Sequence, residues 1–168
     1  LSRFVLSASP FRIPDAARQF WEKHGTVIHK SVSSVRSIPA FSRHAARIKD
    51  VRWCPTQFQP HIAGTDDRVH VVGDRVFASE IVSQADDHRY AGRTGGAVKT
   101  GTARLPRAVA ERCRRLAAGV NLPVAGIDLR ATANGEWYCF EVNPSPGFTF
   151  YQNATGQPIA EAMAQFLT

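Results

Sequence analysis

With 168 residues, 43% of them hydrophobic and 10% aromatic, the chain can bury a real core as one compact unit or two small lobes. No apolar run approaches the roughly 18 residues of a membrane span, no signal-peptide pattern opens the chain, so a targeting segment is either absent or already removed, and three widely spaced cysteines without a CxxC pair point to a reducing compartment, the cytoplasm, with structural thiols. The formal net charge of +7 calls for an anionic partner, for which nucleotide phosphates, acidic peptides and nucleic acid all qualify.

In chain order, Pro14 to His24 carries one apolar stripe with Ile13, Ala17, Phe20 and Trp21, has Pro14 in its first turn and meets Gly25 as a stop, which predicts a helix. Thr26 to Lys30 reads as a strand. Ser31 to Ser37 is serine-rich, and Ile38 to Asp50 is basic and carries no assignable pattern. Thr56 to Ile62 is extended, with Pro60 marking an edge, a bend or the end of pairing. Asp66 to Val72 and Arg75 to Ile81 form a hairpin about Gly73-Asp74. Gln84 to Arg104, polar with glycines at 92, 95, 96 and 101, reads as a long mobile loop, of a length usually functional or disordered. Pro106 to Ala118 is a helix with Val109, Cys113, Leu116 and Ala117 inward and Gly119 as its stop. Pro158 to Leu167 is a last helix with Ile159, Met163, Phe166 and Leu167 on one side.

Between those two helices lies the most informative stretch, Val124 to Arg130 followed by Glu136 to Gly147. Asn134-Gly135 reads as a two-residue turn, which makes Ala133 face Glu136 and, counting back, Asp128 face Glu141. Alternation then places Gly126, Asp128, Glu141 and Asn143 on one face and Ile127, Leu129, Tyr138, Phe140 and Val142 on the other. Like charges directly opposed on neighbouring strands are destabilising, so a core has no use for them, whereas a hard cation does. Asn143 adds a third oxygen, Gly126 leaves room, and an all-oxygen donor set favours magnesium or manganese over zinc.

The order of motifs resembles the carboxylate–amine ligases of the ATP-grasp superfamily, in the branch of ribosomal-protein glutamate ligases and peptide maturases. The pieces that carry the likeness are Gly64-Thr-Asp-Asp-Arg68, Val71 to Ala78, Gly126-Ile-Asp-Leu129 and Phe140 to Gly147. The resemblance implies an α+β fold in which two α/β lobes with antiparallel sheets clasp ATP, here about 1–60 for the smaller lobe and 61–168 for the larger one with the metal site. The N-terminal domain that usually precedes this region has no counterpart in the sequence, which is read as a fragment or an expressed domain.

Carried over residue by residue, the resemblance gives Lys30 to the α- and β-phosphates, although a surface lysine at a strand end would look the same. Gln59, His61 and Ile62 fall in the adenine hinge. A Glu is common near its start, and since Pro60 has no N–H, Ile62 is the expected donor. Asp66 stands where an acidic residue takes the ribose hydroxyls, with Asp67 as its rival. Arg68 is expected at the phosphates or the acyl phosphate, an ion pair with Asp66 being the plainer alternative. Arg89, with Arg93 as alternative, stands near the transferred phosphate. His61, His70 and His88 are candidate bases, a role a lone histidine seldom fills.

The implied reaction is ATP-dependent. Asp128, Glu141 and Asn143 would hold two metal ions, the γ-phosphoryl would pass to a carboxylate, and an amine would attack the acyl phosphate. The partners are therefore ATP, a carboxylate substrate and an amine acceptor, an acidic peptide among the candidates, with no membrane and room for a homo-oligomer. A nucleotide-binding domain without ligase activity is the rival, and a nucleic-acid binder rests on net charge alone.

Overall fold

A computed structural model describes residues 9–11, 13–31, 45–54, 56–83 and 98–168. Two compact units emerge among the described residues, one holding those up to Ile62 together with Ser83 and the other built from Ala63–Val82 and the residues from 98 on.

The first unit is a three-stranded antiparallel sheet, β1 (Ser9–Phe11), β2 (Val27–Ser31) and β3 (Thr56–Pro60), with β3 central. Pro60 pairs with Val27 as the last residue of β3, and His61 N–H still reaches Thr26 O at 2.9 Å just beyond it. Helix α1 (Pro14–His24) stops at Gly25, whose φ of 68° lets its N–H return to Trp21 O at 2.8 Å. Ala17 of α1, Val27, Ile48, Val51 and Phe58 make the core, with Phe20 and Trp21 against it. Two elements here carry no sequence signal: β1, three residues long, and a 3-10 helix over Ala45–Arg52, which begins in the unpatterned Ile38–Asp50 stretch and runs two residues past it.

The second unit is a five-stranded sheet in the order β6-β5-β4-β7-β8, comprising β4 (Thr65–Val72), β5 (Arg75–Ser83), β6 (Val98–Thr102), β7 (Val124–Ala131) and β8 (Trp137–Asn143). Gly73 supplies the positive φ, 57°, that closes β4 onto β5 with Val72 facing Arg75. Helix α2 (Arg107–Gly119) lays Val109, Cys113 and Ala117 on the sheet face made by Val69, Val71, Ala78, Ile127, Leu129 and Cys139. Helix α3 (Thr149–Thr155) and helix α4 (Ile159–Leu167) follow, and α4 packs Ile159 and Ala162 on Val72 and Phe77, which point to the opposite face.

The sequence reading needs four corrections in this unit. Part of the Gln84–Arg104 loop is strand β6, an edge strand whose Thr and Gly content hides it from hydrophobic patterning; residues 84–97 lie outside the described residues. Helix α2 runs through Gly119, and the residue that turns left-handed is Asn121 at φ 56°, an amide side chain tolerating that region better than most. Helix α3 was not foreseen; Gly156, at φ 71°, stops it. In α4, Leu167 is 82% exposed and Phe166 46%, so the inward residues are Ile159, Ala162 and, in part, Met163.

Candidate functional site

The β7–β8 hairpin reaches the expected opposition by a different route. Gly135 N–H returns to Thr132 O at 2.9 Å, which makes Ala133 and Asn134 the centre of the turn and Gly135, at φ 81°, the left-handed residue after it. The loop is therefore three residues long, with Thr132 facing Glu136 (N···O 2.9 Å) and Ala131 facing Trp137. On that register Asp128 would miss Glu141 by one residue. A β-bulge restores it: Leu129 pairs with Cys139, Asp128 pairs with Glu141, and Phe140 is the additional residue. The bulge also exchanges the faces near the turn. Cys139, not Phe140, enters the core beside Leu129, while Tyr138 lies opposite Arg130 and Phe140 offers its ring to the Arg130 guanidinium at 5.2 Å.

Antiparallel pairing of β4 with β7, and of β7 with β8, orders the polar face into rows. Asp66, Arg130 and Tyr138 form the first; Arg68, Asp128 and Glu141 the second; His70, Gly126 and Asn143 the third. On β4 and β7 the charges of the first two rows alternate in both directions, and the contacts follow that alternation, while Glu141 on β8 sets a second carboxylate beside Asp128. Arg130 grips Asp66 with a two-point fork, Nε to Oδ1 at 2.7 Å and Nη2 to Oδ2 at 2.8 Å. Arg68 donates through Nη1 to Asp128 Oδ1 at 2.6 Å. Neither ion pair is the Arg68–Asp66 pair considered from alternation along β4, because cross-strand neighbours stand closer than residues two apart on one strand. Arg68 is 8% exposed, its Nε–H is buried without a partner among the described residues, and its guanidinium lies 5.8 Å from the Tyr151 ring.

The room beside Gly126 is occupied by protein. A Cβ there would stand 2.5 Å from Pro146 Cβ and 2.6 Å from Arg68 Nη2, so the glycine serves the arginine and the corner after β8, not an open space for an ion. Asn143 Oδ1 accepts Ser145 N–H at 2.8 Å and keeps a second lone pair. Among the described residues no group of three or more His, Cys, Asp and Glu side chains converges; the donor set here is two opposed carboxylates and an amide oxygen, hard donors of the kind magnesium and manganese take.

Asp67 and His70 are settled by burial. Asp67 turns to the face opposite Asp66, is 5% exposed, and burial, with Glu80 across the strand pair and Asp66 beside it, pushes its carboxyl up to about 7. His70 is fully buried, Nε2 to Gly147 O at 3.2 Å and its ring 5.2 Å from Tyr151, and burial pulls it down to about 4, so it is a neutral interior group and not a base facing substrate. The thiols of Cys113 and Cys139 are pushed up to about 12 and about 11, chiefly by burial, as inert core groups are; Cys54 is exposed.

The structure thus gathers Asp66, Arg68, Asp128, Glu141 and Asn143 on one face and adds Arg130, which sequence reasoning missed. The remaining candidates belong to the first unit. Lys30 lies in β2 facing Gln57 on β3; Gln59 is buried on β3; Ile62 is half-buried just beyond it. His61 is exposed and commits its N–H to Thr26 O at 2.9 Å, so neither it nor Pro60 has a backbone donor to give. Arg89, Arg93 and His88 lie outside the described residues.

Residues 48–167 match the family described as the RimK-like ATP-grasp domain. Two curated relatives are both named probable alpha-L-glutamate ligase. That from Alkalilimnicola ehrlichii is 33% identical over 126 residues, covering 73% of this chain and 40% of that protein. That from Xanthomonas oryzae pv. oryzae is 32% identical over 145 residues, covering 85% and 46%. Among solved structures, the ATP-grasp ligase PsnB, complexed with a phosphomimetic variant of its minimal precursor, Mg and ADP, aligns with a TM-score of 0.79 at 27% identity over 98% of this chain and 54% of that one. The macrocyclase MdnC bound to precursor peptide MdnA from Microcystis aeruginosa MRC shares the fold, with a TM-score of 0.82 at 20% identity over 98% and 54%. The chain spans about half the length of the relatives it matches.

Proposed function

The chain belongs to the RimK-like ATP-grasp family, and on that premise we propose that it carries the ATP and divalent-cation site of a ligase that joins a carboxylate to an amine through an acyl phosphate. The observation that carries this reading is the middle row of the polar face, where a buried arginine, its Nε–H without a partner among the described residues, lies beside two carboxylates opposed across neighbouring strands. Asp128 and Glu141 hold the cation with Asn143, whose Oδ1 is aimed by the Ser145 N–H. When bound, magnesium or manganese supplies neutralisation of phosphate charge during phosphoryl transfer, and the proposal takes two ions.

The chain's own groups do the rest. Arg68, held at one end by Asp128, offers its guanidinium to an anionic oxygen, a phosphate before transfer and the acyl phosphate after it. Asp66, immobilised by Arg130, keeps lone pairs for the ribose hydroxyls, and Asp67 faces the wrong way for that role. For Lys30 at the α- and β-phosphates, Gln59, His61 and Ile62 at adenine, and Arg89 at the transferred phosphate, the proposed roles are those the family resemblance implies. The substrates are an amino acid or peptide carboxylate and an amine acceptor, a reading supported by relatives named as glutamate ligases and by a ligase solved with its precursor. The net charge of +7 suits an acidic peptide, and the three free cysteines suit the reducing cytoplasm. No helix among the described residues is long and apolar enough to cross a membrane.

The test is acceptor-dependent release of ADP from ATP in the full-length protein, with magnesium or manganese present. Asp128→Asn and Glu141→Gln are each expected to abolish it. Intact metal-dependent turnover in either variant overturns the site, and ADP binding without acceptor-dependent release favours a nucleotide-binding domain without ligase activity.

A further inference from the structure

The third row of the polar face, His70, Gly126 and Asn143, is spanned by a single short piece of chain. Strand β8 ends at Asn143, yet the residues that follow do not leave the sheet. Gly147 O reaches His70 Nε2 on β4 at 3.2 Å, so the corner from Asn143 to Gly147 crosses β7 from one neighbour to the other. It crosses over Gly126, where a Cβ would stand 2.5 Å from Pro146 Cβ. Two strand spacings are about 10 Å, a distance five residues cover when extended. Pro144 and Pro146 fix two of the φ angles on the way.

One end of this crossing is tied by Asn143 Oδ1 accepting Ser145 N–H at 2.8 Å. The other end is tied by His70. A carbonyl oxygen only accepts, so Nε2 carries the ring proton and donates it to Gly147. The ring is 0% exposed and packs on Tyr151 at 5.2 Å, and the same Tyr151 ring lies 5.8 Å from the Arg68 guanidinium. Arg68 Nη2 and Pro146 share the space above Gly126.

We infer that His70 is a positioning residue that clamps the far end of the Asn143–Gly147 corner and thereby sets Asn143 and Arg68 for cation and phosphate. The inference rests on the proposed cation site. It gives a task to a buried polar group that the reaction itself does not use. Groups behind metal ligands act in this way generally, orienting the donor without touching the ion.

His70→Phe keeps a ring and removes the donor, whereas His70→Gln places an amide N–H close to where Nε2 stands. Two measurements on the purified protein separate the outcomes: hydrogen–deuterium exchange of the Ser145, Gly147 and Phe148 amides without ligand, and Mn2+ titration followed by electron paramagnetic resonance. In a cooperatively folded His70→Phe protein, exchange accelerates and Mn2+ binds about tenfold more weakly; His70→Gln restores both. If His70→Phe does not fold, His70→Met, which lacks the donor and packs more flexibly, takes its place. Unchanged exchange in a folded variant overturns the clamp, and faster exchange with unchanged Mn2+ affinity overturns the positioning role. If the parent protein binds no Mn2+, the cation site itself fails, while exchange still decides whether His70 holds the corner.

Discussion

The two faces of the five-stranded sheet are made from alternate residues of the same strands, and they handle charge in opposite ways. On the face under α2, Val69, Val71, Ala78, Ile127, Leu129 and Cys139 close a dry core with Val109, Cys113 and Ala117. On the other, Asp66, Arg68, Asp128 and Arg130 alternate in sign and bond each to its cross-strand opposite. Asp66 and Asp67 make the difference plain. The first is gripped by a two-point arginine fork; the second, one residue on and facing the core side with Glu80 opposite, has its carboxyl raised to about 7. Where a partner of opposite sign is supplied, charge is kept. Where burial comes without one, the neutral form is favoured.

The sharpest way to break this contrast is to substitute neighbours that point opposite ways. Ile127→Ala, at a fully buried core position, is expected to cost about 2–5 kcal/mol in denaturant unfolding, while the folded fraction still binds Mn2+. Asp128→Asn, next in sequence, is expected to lower ATP turnover by about a hundredfold or more with a smaller loss of stability. A variant at Asp128 that unfolds more readily than Ile127→Ala and still binds Mn2+ would make the polar face a structural feature only.

Asp67 gives the next largest effect. Its carboxyl is raised from 3.8 to about 7, so it favours the folded state fully below its ordinary pKa, and that contribution is lost as pH rises through about 7. Asp67→Asn has nothing to lose over that window. Its stability relative to the parent should therefore climb between pH 4 and pH 8, by roughly 3 kcal/mol, as read from paired urea melts. A flat difference across that range would mean that Asp67 is not desolvated in the folded protein.

What could be read from the chain alone divides along locality. Helix α1 follows from its stripe and its Gly25 stop, helix α2 from its stripe, and the β4–β5 hairpin from Gly73-Asp74, all within a few residues. The Asp128–Glu141 opposition was also legible, although through two compensating departures: Asn134-Gly135 builds a three-residue loop in place of two, and the Phe140 bulge returns the register. The bulge carries no composition signal, which is why Tyr138 and Phe140 seemed to face inward. Arg130 was invisible as a site residue because its partner Asp66 lies on β4, 64 residues away, and nothing local announces that β4 pairs with β7. The same holds for His70, whose role depends on Gly147, 77 residues later.

Gly126 is crowded from the polar side, and it yields an intermediate effect. An added methyl would meet Pro146 Cβ at 2.5 Å and Arg68 at 2.6 Å, both on the polar side, while the neighbouring Ala125 and Ile127 stay in the core. Gly126→Ala is expected to destabilise by about 1–3 kcal/mol and to weaken Mn2+ binding as the corner lifts. A crystal structure of the variant in which Pro146 stays seated would argue against it.

The smallest effect tests the edge of the packing. The apolar stripe of α4 suggests that Leu167 is inward, yet it is the last helical residue and 82% exposed, with Ile159 and Ala162 making the contact to Val72 and Phe77 instead. A stripe read from sequence assumes that covered surface continues along the whole helix, and here the sheet face it packs on ends first. Leu167→Ser should accordingly change stability by less than about 0.5 kcal/mol, whereas Ile159→Ala, on the same stripe and fully buried, should cost about 2–5 kcal/mol. Equal losses at the two positions would show that something covers the end of α4 in solution.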